Sequence, residues 1–123
     1  MTAATVSIAT PEKGSHPIAR TLPPFPVAAA TIILMGIMVA VNQSGYLVPA
    51  SADSSLRVLG RSEEYVDNSA GAAGAKTCKV KRGIFGWQNG TSTQAISDLH
   101  VGRPCYALDN QTVVLRNPTG DYP

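Results

Sequence analysis

Residues 27–41, VAAATIILMGIMVAV, carry no charge, and no charged side chain occurs between Arg20 and Asp53. Whatever the chain folds into must take this segment out of water, and three solutions compete. A membrane helix needs about 20 apolar residues to cross roughly 30 Å of hydrocarbon. Fifteen helical residues cover only about 22 Å at the α-helical rise. Backward extension meets Pro23, Pro24 and Pro26, and forward extension meets Asn42, Gln43, Ser44 and Gly45. A secretion signal is the second solution, because Ala50-Ser51-Ala52 resembles an A-x-A cleavage site. Signals, however, open with a short positive stretch, and here a proline-rich leader holding Glu12 beside Lys13 and Arg20 comes first.

The third solution divides the run into strands. Thr31, Ile32, Ile33, Ile37, Val39 and Val41 are β-branched and favour extended backbone. Gly36 would cost a helix about 1 kcal/mol relative to alanine. Residues 42–45, NQSG, then turn the chain into Tyr46-Leu47-Val48, which Pro49 is expected to end. A hairpin of residues 37–41 and 46–48, not an anchor, is the expectation.

The same grammar continues downstream. Residues 56–60 read as a strand running unevenly towards Tyr65 and Val66, and residues 67–74, DNSAGAAG, as a loop of small residues. Residues 77–81 alternate, with Cys78 and Val80 inward and the lysines outward. Gly83 marks a bulge before a further strand-like piece, residues 84–87, and Asn89-Gly90 marks a turn. Residues 92–99 predict a short helical turn capped by a hydroxyl. Strands at 105–108 and 112–115 flank a turn at Asp109-Asn110. Many short strands, eleven glycines and nine prolines in 123 residues indicate an all-β barrel or sandwich. The expected organisation is an extended N-terminal arm, residues 1–26, followed by a β-domain, residues 27–123.

Residues 1–26 have no helical or strand period and four prolines between positions 17 and 26. In isolation such a segment is extended or disordered. It becomes ordered only where something holds it, and another protein's surface is the expected holder. Val6, Ile8 and Ile18 would enter shallow pockets while the backbone adds to a sheet edge.

Chemistry-bearing constellations are not found, so no catalytic residue, no cofactor and no metal site is expected. Gln43-Ser44-Gly45 lacks the frame of a nucleophile elbow. His100 reads as structural or solvated, and adjacent Glu63 and Glu64 on a strand point to opposite faces. Residues 71–76, GAAGAK, lack the spacing of a phosphate loop. Cys78 and Cys105 both sit in strand-like apolar settings and read as buried free thiols, with a disulfide as the alternative. With only His16 and His100 beside them, a zinc site is not expected. A net charge of +2 is too small to argue for nucleic acid. Still, Phe85, Trp87 and Tyr106 beside Lys79, Lys81 and Arg82 keep an oligonucleotide-stacking barrel open as an alternative. A membrane-anchored or secreted small β-protein is the other.

Three segments, GIMVAVNQSGYLVPA (36–50), VLGRSEEYVDNSAGAAGAKTCKVKRGIFGWQN (58–89) and VGRPCYALDNQTV (101–113), together resemble the small capsid decoration, or head cement, proteins of tailed bacteriophages and prophages. The most specific pieces are the DNSAG loop with the basic strand after it and the VGRPCY turn. The resemblance implies a non-enzymatic virion protein on the outer capsid surface, a homotrimer whose partner is the major capsid protein, with no nucleic acid and no membrane bound. Linked copies would clamp neighbouring capsid subunits through avidity and oppose disassembly through linkage. The candidate capsid-contact residues are Val6, Ile8, Ile18, Arg20, Leu22 and Phe25.

Overall fold

The computed structural model describes residues 2–11 and 20–116, with no side-chain placement for Arg20 and Thr21. Its strands are β1 (Arg20–Thr21), β2 (Phe25–Pro26), β3 (Thr31–Ile33), β4 (Met38–Val41), β5 (Leu47–Pro49), β6 (Arg57–Ser62) and β7 (Val66–Asn68). They continue as β8 (Thr77–Cys78), β9 (Val80–Arg82), β10 (Gln88–Asn89), β11 (Tyr106–Ala107) and β12 (Thr112–Val114). The fold is all-β, as its turn-rich sequence predicts. Five strands form a sheet in the order β1-β9-β6-β4-β5, and β10-β12-β11 form a smaller one. The remaining pairs are β2 with β8 and β3 with β7. The pairings between these strands are antiparallel except β10 with β12, which run parallel, and Val27 adds an isolated parallel bridge to Leu47.

The apolar run supplies β3 and β4, and the reason it needs no lipid lies in β4. Successive side chains of a strand point to opposite faces, and all four of its residues are buried. Val39 and Val41 enter a core with Val27, Ile33, Ile37, Leu47, Val66, Cys78 and Val80. Met38 and Ala40 enter a second core with Ala50, onto which Val48, Leu56, Trp87, Ala107 and Val113 pack. One strand is thus the shared wall of two cores, and it reads as continuous apolar sequence for that reason. Among the described residues no helix is long and apolar enough to cross a membrane.

The expected hairpin forms, with Val41 opposite Leu47 and Val39 opposite Pro49. Asn42 makes the turn: its Oδ1 accepts from the amides of Ser44 and Tyr46, each at 3.0 Å. Gly45 closes it at φ +87°, a conformation L side chains rarely adopt. Pro49 is the last residue of β5, so it ends the strand as expected, in a position that a border strand permits. Along β6 the register slips between Val39 and Ala40, whose partners are Gly60 and Val58, so Leu59 bulges.

Several local expectations shift. Asp67 and Asn68, expected in the loop, end β7 opposite Ile32 and Thr31. Residues 84–87 do not form a regular strand, and pairing resumes at β10. The single helical turn expected at 92–99 is two 3₁₀ turns, Ser92–Gln94 and Asp98–His100. Residues 20–26, expected in the arm, include β1 and β2, and β2 sets Phe25 opposite Cys78.

Candidate partner interface

The leader's described residues lie along their own domain. Asn110 exchanges two hydrogen bonds with Ala4, accepting from its amide at 2.7 Å and donating to its carbonyl at 3.2 Å. Ile8 N–H donates to Met35 O at 2.9 Å, and Met35 N–H donates to Ser7 Oγ at 3.0 Å. The Thr10 hydroxyl donates to Gly36 O, Gly86 N–H donates to Pro11 O at 2.9 Å, and the Gln111 amide donates to Thr2 O. The premise that only a foreign surface holds the arm is therefore corrected: residues 2–11 find partners on four separate parts of the domain.

Two residues position that crossing. Arg61, on β6, donates from Nη1 to Thr10 O at 2.7 Å. Its guanidinium is fixed by Glu63, with Nε to Oε2 at 3.0 Å, and lies 4.7 Å from the centre of the Phe85 ring. Gly36 has φ +84°, and a Cβ there would stand 1.7 Å from Ile8 O. Only a bare Cα lets the two backbones pass.

The candidate contact residues separate accordingly. Val6 is 67% exposed and free to meet a partner. Ile8, Leu22 and Phe25 are half-buried against the chain's own first core. Leu22 N–H also donates to Val80 O at 2.7 Å. Arg20 pairs with Arg82 through the β1–β9 backbone, and Ile18 lies outside the described residues. Among the side chains described, the structure does not gather Val6 with Ile8, Leu22 and Phe25 on one outward face.

It presents a different apolar feature instead. Leu99 and Val101 are 90% and 84% exposed, the most exposed large apolar side chains among the described residues. They flank His100, whose Nδ1 accepts from Ser97 N–H at 2.9 Å and braces the turn. The base of this loop is tied by Asn89, which donates to Ile96 O and accepts from Ile96 N–H, both at 2.9 Å. Sequence reading passed over Leu99 and Val101, although their alternation outside any strand was a usable signal.

The 69–76 loop is held from below. Asn68, 1% exposed, donates to the carbonyls of Ala28 and Ala72, each at 3.0 Å. Lys76 Nζ reaches back to Asp67 O at 2.6 Å. The Ser69 hydroxyl, then its amide, holds the Asp67 carboxyl below the usual range. The aromatic residues are largely committed to the domain: Phe85 and Trp87 meet edge to face at 5.8 Å, and Trp87 packs on the second core.

Both thiols are free, but only one is buried. Cys78 is inaccessible, and its thiol is pushed up to about 11 by burial first and the Glu64 carboxylate second. Cys105 is exposed, correcting the expectation of two buried thiols. It precedes β11 at the rim of a groove lined also by Asp53, Leu56 and Val58. Among the described residues no group of three or more His, Cys, Asp or Glu side chains is placed to hold a metal ion. Comparison with protein-family models, curated proteins and solved structures found no match.

Proposed function

We propose that the chain is a structural virion protein that binds the outer surface of a tailed-phage capsid as a homotrimer and bridges neighbouring major capsid subunits. The reading rests on the resemblance carried by residues 36–50, 58–89 and 101–113, and on the all-β domain. The observation that carries it in the structure is the loop bearing Leu99 and Val101 at 90% and 84% exposure. Single exposed apolar residues are ordinary. Two large ones, braced by His100 and Asn89 beneath them, form a rigid projection suited to a protein partner.

The test is co-sedimentation of the full chain with phage heads that lack it, together with the thermal stability of those heads. Saturable binding and a raised disassembly temperature are expected. Leu99→Ser with Val101→Ser should weaken binding at least tenfold while leaving the fold intact, since both side chains are solvent-facing. Light scattering should return three times the 12.8 kDa chain mass. A chain that stays in the supernatant with heads at micromolar concentration overturns the reading.

A further inference from the structure

Residues 2–11 cross the domain without a strand of their own, and the domain meets them mainly with groups that read backbone. The Asn110 amide gives Ala4 the same donor and acceptor that a neighbouring strand would give. Met35 O takes the Ile8 amide, while Arg61, Gly86 and Gln111 each donate to a carbonyl, those of Thr10, Pro11 and Thr2. Such main-chain recognition is how proteins bind extended peptides. The readers are prepared without the strap. Glu63 and Phe85 hold Arg61, Met38 N–H donates to Asn110 O at 2.8 Å, and Gly36 N–H donates to Ser62 O at 3.0 Å.

The strap is held shallowly by comparison. Within it Thr10 is buried, Ala4 and Ile8 are half-buried, and the remaining residues are exposed. Open clefts flank residues 8–10, one against Met35 and Arg61, the other against Trp87 and Gln111. A segment with so little buried apolar surface comes away by baring only the patch of the first core that Ala4 and Ile8 cover.

We infer that this groove is a peptide-recognition site with an exchangeable occupant, and that residues 2–11 of a second copy take it when a copy's own strap leaves. Strap and groove are present on every copy, so exchange preserves each contact described above. Only the tether's proximity favours the chain's own strap, and close packing of copies offsets that advantage. The inference is independent of the capsid reading, because it concerns copies of this chain in solution.

The test uses full-length chains in which Cys105→Ser removes the exposed thiol. One preparation carries Ser7→Cys and another Met35→Cys, positions joined by the Met35 N–H to Ser7 Oγ bond. A chain carrying both should close a disulfide within itself under mild oxidation. Mixing the two single variants should give covalent heterodimers about tenfold faster than Ser7→Cys with Ser44→Cys at the exposed hairpin tip. Excess synthetic peptide of residues 2–11 should suppress that product. Equal rates for the two pairs, indifference to the peptide, or failure of the double variant to close each overturns the inference.

Discussion

Asparagine side chains stand in for missing ladder bonds at several turns of this chain. Asn42 satisfies two amides of the hairpin, so Asn42→Ala should cost about 1–3 kcal/mol, measured by chemical denaturation. At Gly36 a methyl group meets the Ile8 carbonyl and the backbone is already left-handed. Gly36→Ala should therefore displace the strap as well as strain the turn, by about 1–3 kcal/mol. Limited proteolysis should then cut within residues 2–11 at least tenfold faster. Cys78 carries a pH dependence with a definite sign. Its thiol titrates near 9.0 when unfolded and near 11 when folded, so the folded state holds the proton more tightly. That contribution is complete below pH 9 and is lost as pH rises through 11, about 3 kcal/mol in all. Denaturation midpoints of wild type and Cys78→Ala between pH 8.5 and 11 check it, because the variant should lack that slope. Cys105 should react with a thiol reagent in the native protein and Cys78 should not. The sequence around the two cysteines is equally strand-like, so their different fates were legible only once β11 began after Cys105 and β8 included Cys78.

Among the elements, β4 holds the structure together. Met38→Ala and Leu47→Ala open cavities in different cores, and each should lower stability by about 2–5 kcal/mol in denaturant titrations. The hairpin was readable beforehand, because alternation, β-branching and the turn residues agreed with one another. Two-sided burial of β4 is consistent with the same uncharged run but follows only from the two cores packed on its opposite faces. Short elements resisted reading for a physical reason. Residues 84–87 have strand propensity, but Phe85 packs under Arg61, Trp87 packs on the second core, and the pairing there is reduced to an isolated bridge at Phe85. Asp67 and Asn68 look like loop residues, yet β3 offers partners that only the folded chain supplies.

For the molecule as a whole, the N-terminal segment was the least legible part. Its composition correctly marks a stretch without a core of its own, but its partners Asn110 and Gln111 lie 106 and 109 residues away. No local pattern records such contacts. Their energetic rank is measurable by hydrogen exchange. The amides of Ile8 and Gly86, which tie the strap down, should exchange at least a hundredfold faster than those of Val39 and Ala40 in β4.

The placement of Pro49 has a consequence for how copies behave when crowded. Ala50 N–H points inward to Met38 O, so the nitrogen of Pro49 faces away from β4 and has no hydrogen to offer. Leu47 O, on that outer side, is already taken by Ala28 N–H at 3.0 Å. A passing chain therefore finds no amide hydrogen at Pro49 and an acceptor already occupied at Leu47. That margin is a blunted template for sheet extension between copies.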